Sequence, residues 1–189
     1  MDKLRLRDDF PYSIVRNAPY LWDIMGVQGR YFGELLRTKK SGNLILKERF
    51  PIDFHNLVMN AAKTYMFDAA FNAATQVSTW YLGLIDATSF STIAATDTMT
   101  AHAGWIEFGN YTAGVRQTWN KGATSGNTIT GTTVSQFTIN ANGTLAGGFL
   151  TTNNTIGGTT GLLWSAGQFP TAAPVSITDV FRINYSVSS

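Results

Sequence analysis

Val180-Phe181-Arg182-Ile183-Asn184-Tyr185-Ser186-Val187 alternates along its whole length. Phe181, Ile183, Tyr185 and Val187 fall on one side, and Arg182, Asn184 and Ser186 on the other. A period of two belongs to a β-strand with one face buried. Working outward, Val134 to Asn140 shows the same pattern, with Ser135, Phe137 and Ile139 sharing a face. Gly143 to Thr151 follows the turn Asn140-Ala141-Asn142-Gly143, and Asn-Gly predicts a hairpin joining the two runs. Gly161 to Ala166 is a short apolar run, and Val77 to Ile85 (VSTWYLGLI) reads as a long buried strand. Strands at intervals of about ten residues, separated by Gly, Asn and Thr turns, predict an antiparallel β-sandwich or barrel-like body. Between them, Asp97 is expected to cap a short helical turn ending near His102.

The chain is mainly β by this reading, with one helix. Val58, Ala61, Ala62, Tyr65, Met66, Ala69 and Ala73 recur at spacings of three and four, which makes an amphipathic stripe. Asp53 is its expected N-cap, and the alanines would let it approach a sheet closely. Ahead of the helix, Tyr31–Thr38 and Asn43–Phe50 flank Lys39-Lys40-Ser41-Gly42 and predict a hairpin. Arg37, Lys39, Lys40, Lys47 and Arg49 cluster at its tip.

Charge divides the 189 residues unevenly. Residues 1–50 hold ten Lys/Arg and six Asp/Glu, while the remainder holds four and six. The whole chain is only 14% charged, below the ~25% usual for soluble domains. This shift suggests two parts: an N-terminal arm with hairpin (1–54), and a body of helix plus β-sandwich (55–189). Residues 1–30 are broken by Pro11, Pro19, Gly26 and Gly29, yet carry Phe10, Tyr12, Tyr20, Leu21, Trp22, Ile24 and Met25. Free disordered tails are poor in aromatics. The arm should therefore be extended and held by something, and a neighbouring subunit is the expected holder.

Several classes of chemistry are not indicated. There is no cysteine, hence no disulfide, thiol nucleophile or thiolate metal site. P-loop, GxGxxG and GxSxG motifs are absent. The run Gly157-Gly158-Thr159-Thr160-Gly161 reads as a loop, because no helix pattern follows it. His55 and His102 lie far apart in sequence, and neither is placed with a serine and a carboxylate. No cofactor, metal or enzymatic activity is expected. A net charge of +2 is too small to argue for nucleic acid. No apolar run of about 18 residues marks a membrane helix, and MDKLRLRDDF lacks the apolar stretch of a secretory leader. Four Asn-X-Ser/Thr sequons, at Asn110, Asn142, Asn153 and Asn184, follow from the Asn/Thr/Ser-rich composition. Trp105, Trp119 and Trp164 have two readings, a sugar-binding platform or the sandwich core, and the core reading is preferred.

Four strings resemble a family of tailed-bacteriophage virion proteins. They are Thr79–Asp86 (TWYLGLID), Asp97-Thr98-Met99 with His102-Ala103-Gly104-Trp105, Gly143–Leu150 (GTLAGGFL), and Gly157–Leu163 followed by Gly167-Gln168-Phe169. The resemblance runs from about Asn56 to the C-terminus and is weak before it. It implies a structural component of the phage particle and carries no catalytic residues. A charged arm on a neutral Thr-rich body suits a capsid cement or decoration protein, a dimer or trimer, whose arm reaches across subunits of the major capsid protein. The alternative is a tail fibre, adhesin or tail adaptor whose body binds a host glycan or another virion protein. Aromatic and arginine anchors dominate such contacts, which selects Arg5, Phe10, Tyr12, Tyr20, Trp22 and Arg30. The hairpin tip adds Arg37, Lys39 and Lys40.

Overall fold

The computed structural model describes residues 26–38 and 44–189. Its elements are β1 (Gln28–Thr38), β2 (Leu44–His55), β3 (Leu57–Val58), α1 (Asn60–Phe71), β4 (Tyr81–Asp86), β5 (Ile106–Phe108) and β6 (Gln117–Thr118). They continue as β7 (Thr128–Thr130), β8 (Ser135–Thr138), β9 (Gly143–Thr151), β10 (Leu163–Val175) and β11 (Val180–Ser188). The first sheet runs β2-β1-β11, with β7 and β8 side by side on the far edge of β11. The second runs β3-β10-β9-β4, with β5 and β6 on β4. Every ladder is antiparallel. The sheets pack face to face as the sandwich-like body predicted.

The alternation of β11 holds: Phe181, Ile183 and Tyr185 are buried and meet the second sheet. The Phe181 and Phe169 rings lie 5.6 Å apart. On β9 the two faces have different neighbours, since successive residues of a strand point opposite ways. Gly148 lies under the Ile183 side chain, whereas Phe149 packs 5.2 Å from Trp105 on the other side. The Ala87–Gln117 stretch, which carries Trp105, thus covers the outer face of the second sheet. With both faces covered, Leu82 to Ile85 of β4 and Leu145 to Thr151 of β9 are continuously buried, as in sheets roofed on both sides.

One polar cluster crosses the sandwich. The Tyr185 hydroxyl accepts from Trp164 Nε1 at 3.1 Å and from Asn56 Nδ2 at 2.9 Å. Trp119 Nε1 donates to the Tyr185 carbonyl at 3.1 Å. Beside it, the Tyr31 hydroxyl lies 2.7 Å from Ser165 Oγ, and the Tyr31 and Tyr185 rings are 4.6 Å apart. The hydroxyl, amide N–H and indole N–H groups named here all find partners, while the Asn56 Oδ1 beside them is buried without one.

Other expectations are corrected. The strands β1 and β2 pair as expected, and β1 also pairs with β11 from Gln28–Ser188 to Leu36–Val180. That ladder crosses the expected division between 1–54 and 55–189. Asp53 lies in β2 and does not cap the helix. Met59 occupies the cap position without a side-chain bond, and Met59 N bonds the Trp164 carbonyl instead. Of the stripe residues within α1 only Ala62 is buried, while Val58, also buried, belongs to β3. The helix stops where Ala73 turns to φ 55°. Asn140–Gly143 does not close a hairpin. β8 pairs with β11, while β9 pairs with β4 and β10, so the segment passes between sheets. Val77 to Trp80 precede β4 rather than opening it; Val77 N donates to the Tyr65 hydroxyl of α1 at 2.7 Å. β10 is twice the expected length, because it continues through Pro170 and Pro174 across a register shift between Gln168 and Ala173. Thr96 to Gly104 forms no helix.

Two outcomes follow. Burial pushes the Tyr185 hydroxyl up to about 12 and raises Tyr31 as well. The folded state therefore keeps these protons after the unfolded chain has lost its own near pH 10. Stability should hold through neutral pH and fall as pH climbs from about 10 to about 12, with Tyr31 and Tyr185 ionising only on unfolding, read by ultraviolet titration of phenolate. Second, a Cβ on Gly147 would overlap the Gly167 carbonyl oxygen on the neighbouring strand. Gly147→Ala should lower stability by about 1–3 kcal/mol in urea unfolding.

Candidate functional site

Two hollows on the described body hold most of its polar and aromatic groups of interest. The first, about 360 Å³, is walled by Met99, His102, Trp105, Glu107, Arg116 and Phe149, among others. It contains the charged pair of the interior. Arg116 Nε and Nη2 each lie 2.8 Å from a different oxygen of Glu107, with both side chains nearly inaccessible. Arg116 also donates to the carbonyls of Asn153 and Gly158, and Glu107 accepts from Gly157 N at 2.7 Å. The pair thereby stitches the Asn153–Gly158 loop to β5. The guanidinium also sits 5.2 Å over the Phe149 ring, a cation–π contact. No oxygen of Glu107 is left without a donor, so it is placed as a rivet and not as an acid or base.

The histidine and the aspartates are similarly engaged. His102 stacks on Trp105 at 3.9 Å, with Nδ1 2.9 Å from the Trp105 carbonyl. A carbonyl can only accept, so Nδ1 carries the hydrogen. Asp97 accepts from Ala94 N and from Trp105 Nε1; it shapes a loop instead of capping a helix. Asp179 accepts from Ser176 N and Arg37 Nε. Tyr111 is buried against Phe137 without a hydrogen-bond partner, and burial raises its hydroxyl well above the usual value. Among the described residues no three His, Cys, Asp or Glu side chains group as metal ligands, and no helix is long and apolar enough to cross a membrane.

The second hollow, about 340 Å³, is a groove between α1 and the end of the sandwich. Tyr65, Met66, Ala69 and Ala70 form its helical side, and Trp80, Trp119, Ile129, Leu150, Trp164 and Val187 its floor. The alanines keep the helical wall low, while the indole N–H groups of Trp119 and Trp164 point inward to Tyr185. What faces the groove is therefore mostly hydrocarbon and aromatic side chains, with Gln76 and Lys121 as its polar members. Lys121 is the one cation on its lining; its Nζ donates to the Ser78 carbonyl at 2.6 Å. On the outer side of α1, Phe67 and Phe71 are 65% and 80% exposed, their rings 6.4 Å apart.

The sequence-selected residues scatter over this picture. Trp105, Trp119 and Trp164 are 1%, 5% and 9% exposed, so they are core, and the sugar-platform reading fails for want of open ring faces. Arg37 reaches the Pro174 carbonyl and Asp179, which ties β1 to the β10–β11 turn. Arg30 lies on β1 opposite Ser186, its guanidinium 5.9 Å from the exposed Phe32 ring. Arg5, Phe10, Tyr12, Tyr20, Trp22, Lys39 and Lys40 lie outside the described residues. The groove and the Phe67/Phe71 face escaped sequence reading. The helical stripe was visible, but not that it lies only half on the core.

The ion pair gives a direct test. Arg116→Met leaves the Glu107 carboxylate buried opposite a single N–H, which should cost about 3–5 kcal/mol. Arg116→Met with Glu107→Gln should recover part of that loss in the same urea titration. Loss without recovery would show that the loop, not the charge, depends on Arg116.

No protein-family model matches the chain, and neither does any curated protein.

Proposed function

We propose that the protein is a virion structural component, a capsid cement or decoration protein, and not an enzyme. The observation that carries this reading is the division of labour along the chain. Ten of its fourteen basic residues and a run of aromatics fall in the first fifty positions, while the body keeps its charges for its own loops. Arg116, Glu107, Asp97 and Asp179 all serve internal bonds. A body of this kind offers shape and apolar surface to a partner, with Phe67 and Phe71 the most exposed large hydrophobic side chains among the described residues. The first nineteen residues, with Arg5, Phe10 and Tyr12, supply anchors for the major capsid protein. Their several weak contacts act together through a common tether. The resemblance of the four strings named above to tailed-phage virion proteins points the same way.

The test is attachment to particles. Full-length protein should saturate capsids at one copy per shell subunit or a simple fraction of that. Removal of residues 1–19, which leaves β1 and its ladder with β11 whole, should abolish attachment while the circular dichroism of the body is unchanged. Saturation by the truncated chain would overturn the arm's role. A count confined to a single vertex would favour the tail fibre or adaptor reading.

A further inference from the structure

The apolar groove beneath α1 does not end at its own rim. A further hollow, about 330 Å³, shares Met66, Ile129, Trp164 and Val187 with it and adds Val27 beside a polar rim of Thr124, Asn127, Ser188 and Ser189. The two adjoin through these four shared residues, and Val27, one residue after the start of the described chain, lines the further one. The residues immediately before are Tyr20-Leu21-Trp22-Asp23-Ile24-Met25, five large apolar side chains around one carboxylate. The groove offers the complementary set: tryptophan, methionine and aliphatic side chains, with Lys121 as its cation.

We propose that this groove is the docking site of the chain's own segment Tyr20–Met25. Three arguments favour this occupant. Covalent attachment at Val27 delivers the segment to the adjoining hollow, and six residues reach at most about 20 Å, so the ligand is confined near its site. A tether this short gives an effective concentration of ~mM or more, well above that of any second copy. Lys121 spends one N–H on Ser78 and an ammonium has three donors, which leaves the charge available to Asp23. An exposed apolar groove of this kind is otherwise a liability for a monomeric protein. Docking there assigns Tyr20 and Trp22 to the body and leaves residues before Pro19 as the outward-reaching part. The inference does not depend on the virion reading and holds for any role of the body.

The test uses the full chain and Nile red, a neutral dye that brightens in apolar grooves. Wild type should bind little dye, and the Trp22→Ser/Ile24→Ser chain several-fold more, with unchanged far-ultraviolet circular dichroism. Lys121→Glu should raise dye binding, and Lys121→Glu with Asp23→Lys should restore the wild-type level. The wild-type signal should not change on dilution. Equal dye binding by wild type and the serine variant would overturn the proposal, as would failure of the charge swap to restore. Dye binding that rises as the protein is diluted would assign the groove to a segment from a second copy and overturn it as well.

Discussion

Two sheets that bury their inner faces against each other must also satisfy whatever polar atoms they carry inside, and Tyr185 is where this requirement is met. Its ring packs against Tyr31 and Trp119. Its hydroxyl takes hydrogen bonds from Trp164 and Asn56, and its carbonyl one from Trp119. A tyrosine buried this deeply without partners would cost several kcal/mol of desolvation. With them, it joins β11 of one sheet to β10 of the other and to the β2–β3 link. The neighbouring Tyr31–Ser165 contact repeats the device one strand over. The groove floor depends on the same cluster, because the indoles that point inward to Tyr185 turn only carbon outward.

A similar economy governs the charges. The body has few, and Arg116, Glu107, Asp97 and Asp179 are consumed in holding its loops. The Arg116–Glu107 pair binds the Gly157–Gly158 turn, and Asp97 and Asp179 each close a local turn while reaching a distant side chain. Acid–base chemistry requires a group poised between protonation states and open to a substrate. A carboxylate saturated by arginine and backbone N–H groups is neither. The features that remain available are surfaces: an apolar groove, a pair of stacked phenylalanines on α1, and the basic, aromatic N-terminal stretch that precedes them. These are surfaces suited to association.

The legible parts of the fold were those whose signal is local. The alternation in Val180–Val187 and Val134–Asn140 reports a half-buried strand, and both runs present the expected face. The pairing of β1 with β2 was readable from the two strand-like runs that flank the turn signal. Asn142-Gly143 misled because turn chemistry states that the chain can reverse, not which neighbour it then joins. Here Asn142 Oδ1 instead accepts from Ile177 N near the β10–β11 turn. Pro170 and Pro174 concealed the second half of β10, since proline is disfavoured within strands; Pro170 falls inside the register shift, whereas Pro174 stands in register opposite Thr144.

What the sequence by itself determined is the class of the body and the identity of its core. Strand periodicity, one helix and buried tryptophans all follow from which side chains avoid water. What only the tertiary structure decided is partnership. The membership of β1 in the same sheet as β11, the inward turn of the Trp119 and Trp164 N–H groups, the burial of Arg116 against Glu107 and the groove under α1 join residues far apart in the chain. Hydrophobic pattern fixes how a segment faces water, but not which distant segment covers it, because burial is non-directional. Packing and hydrogen-bond satisfaction across the sandwich make that choice.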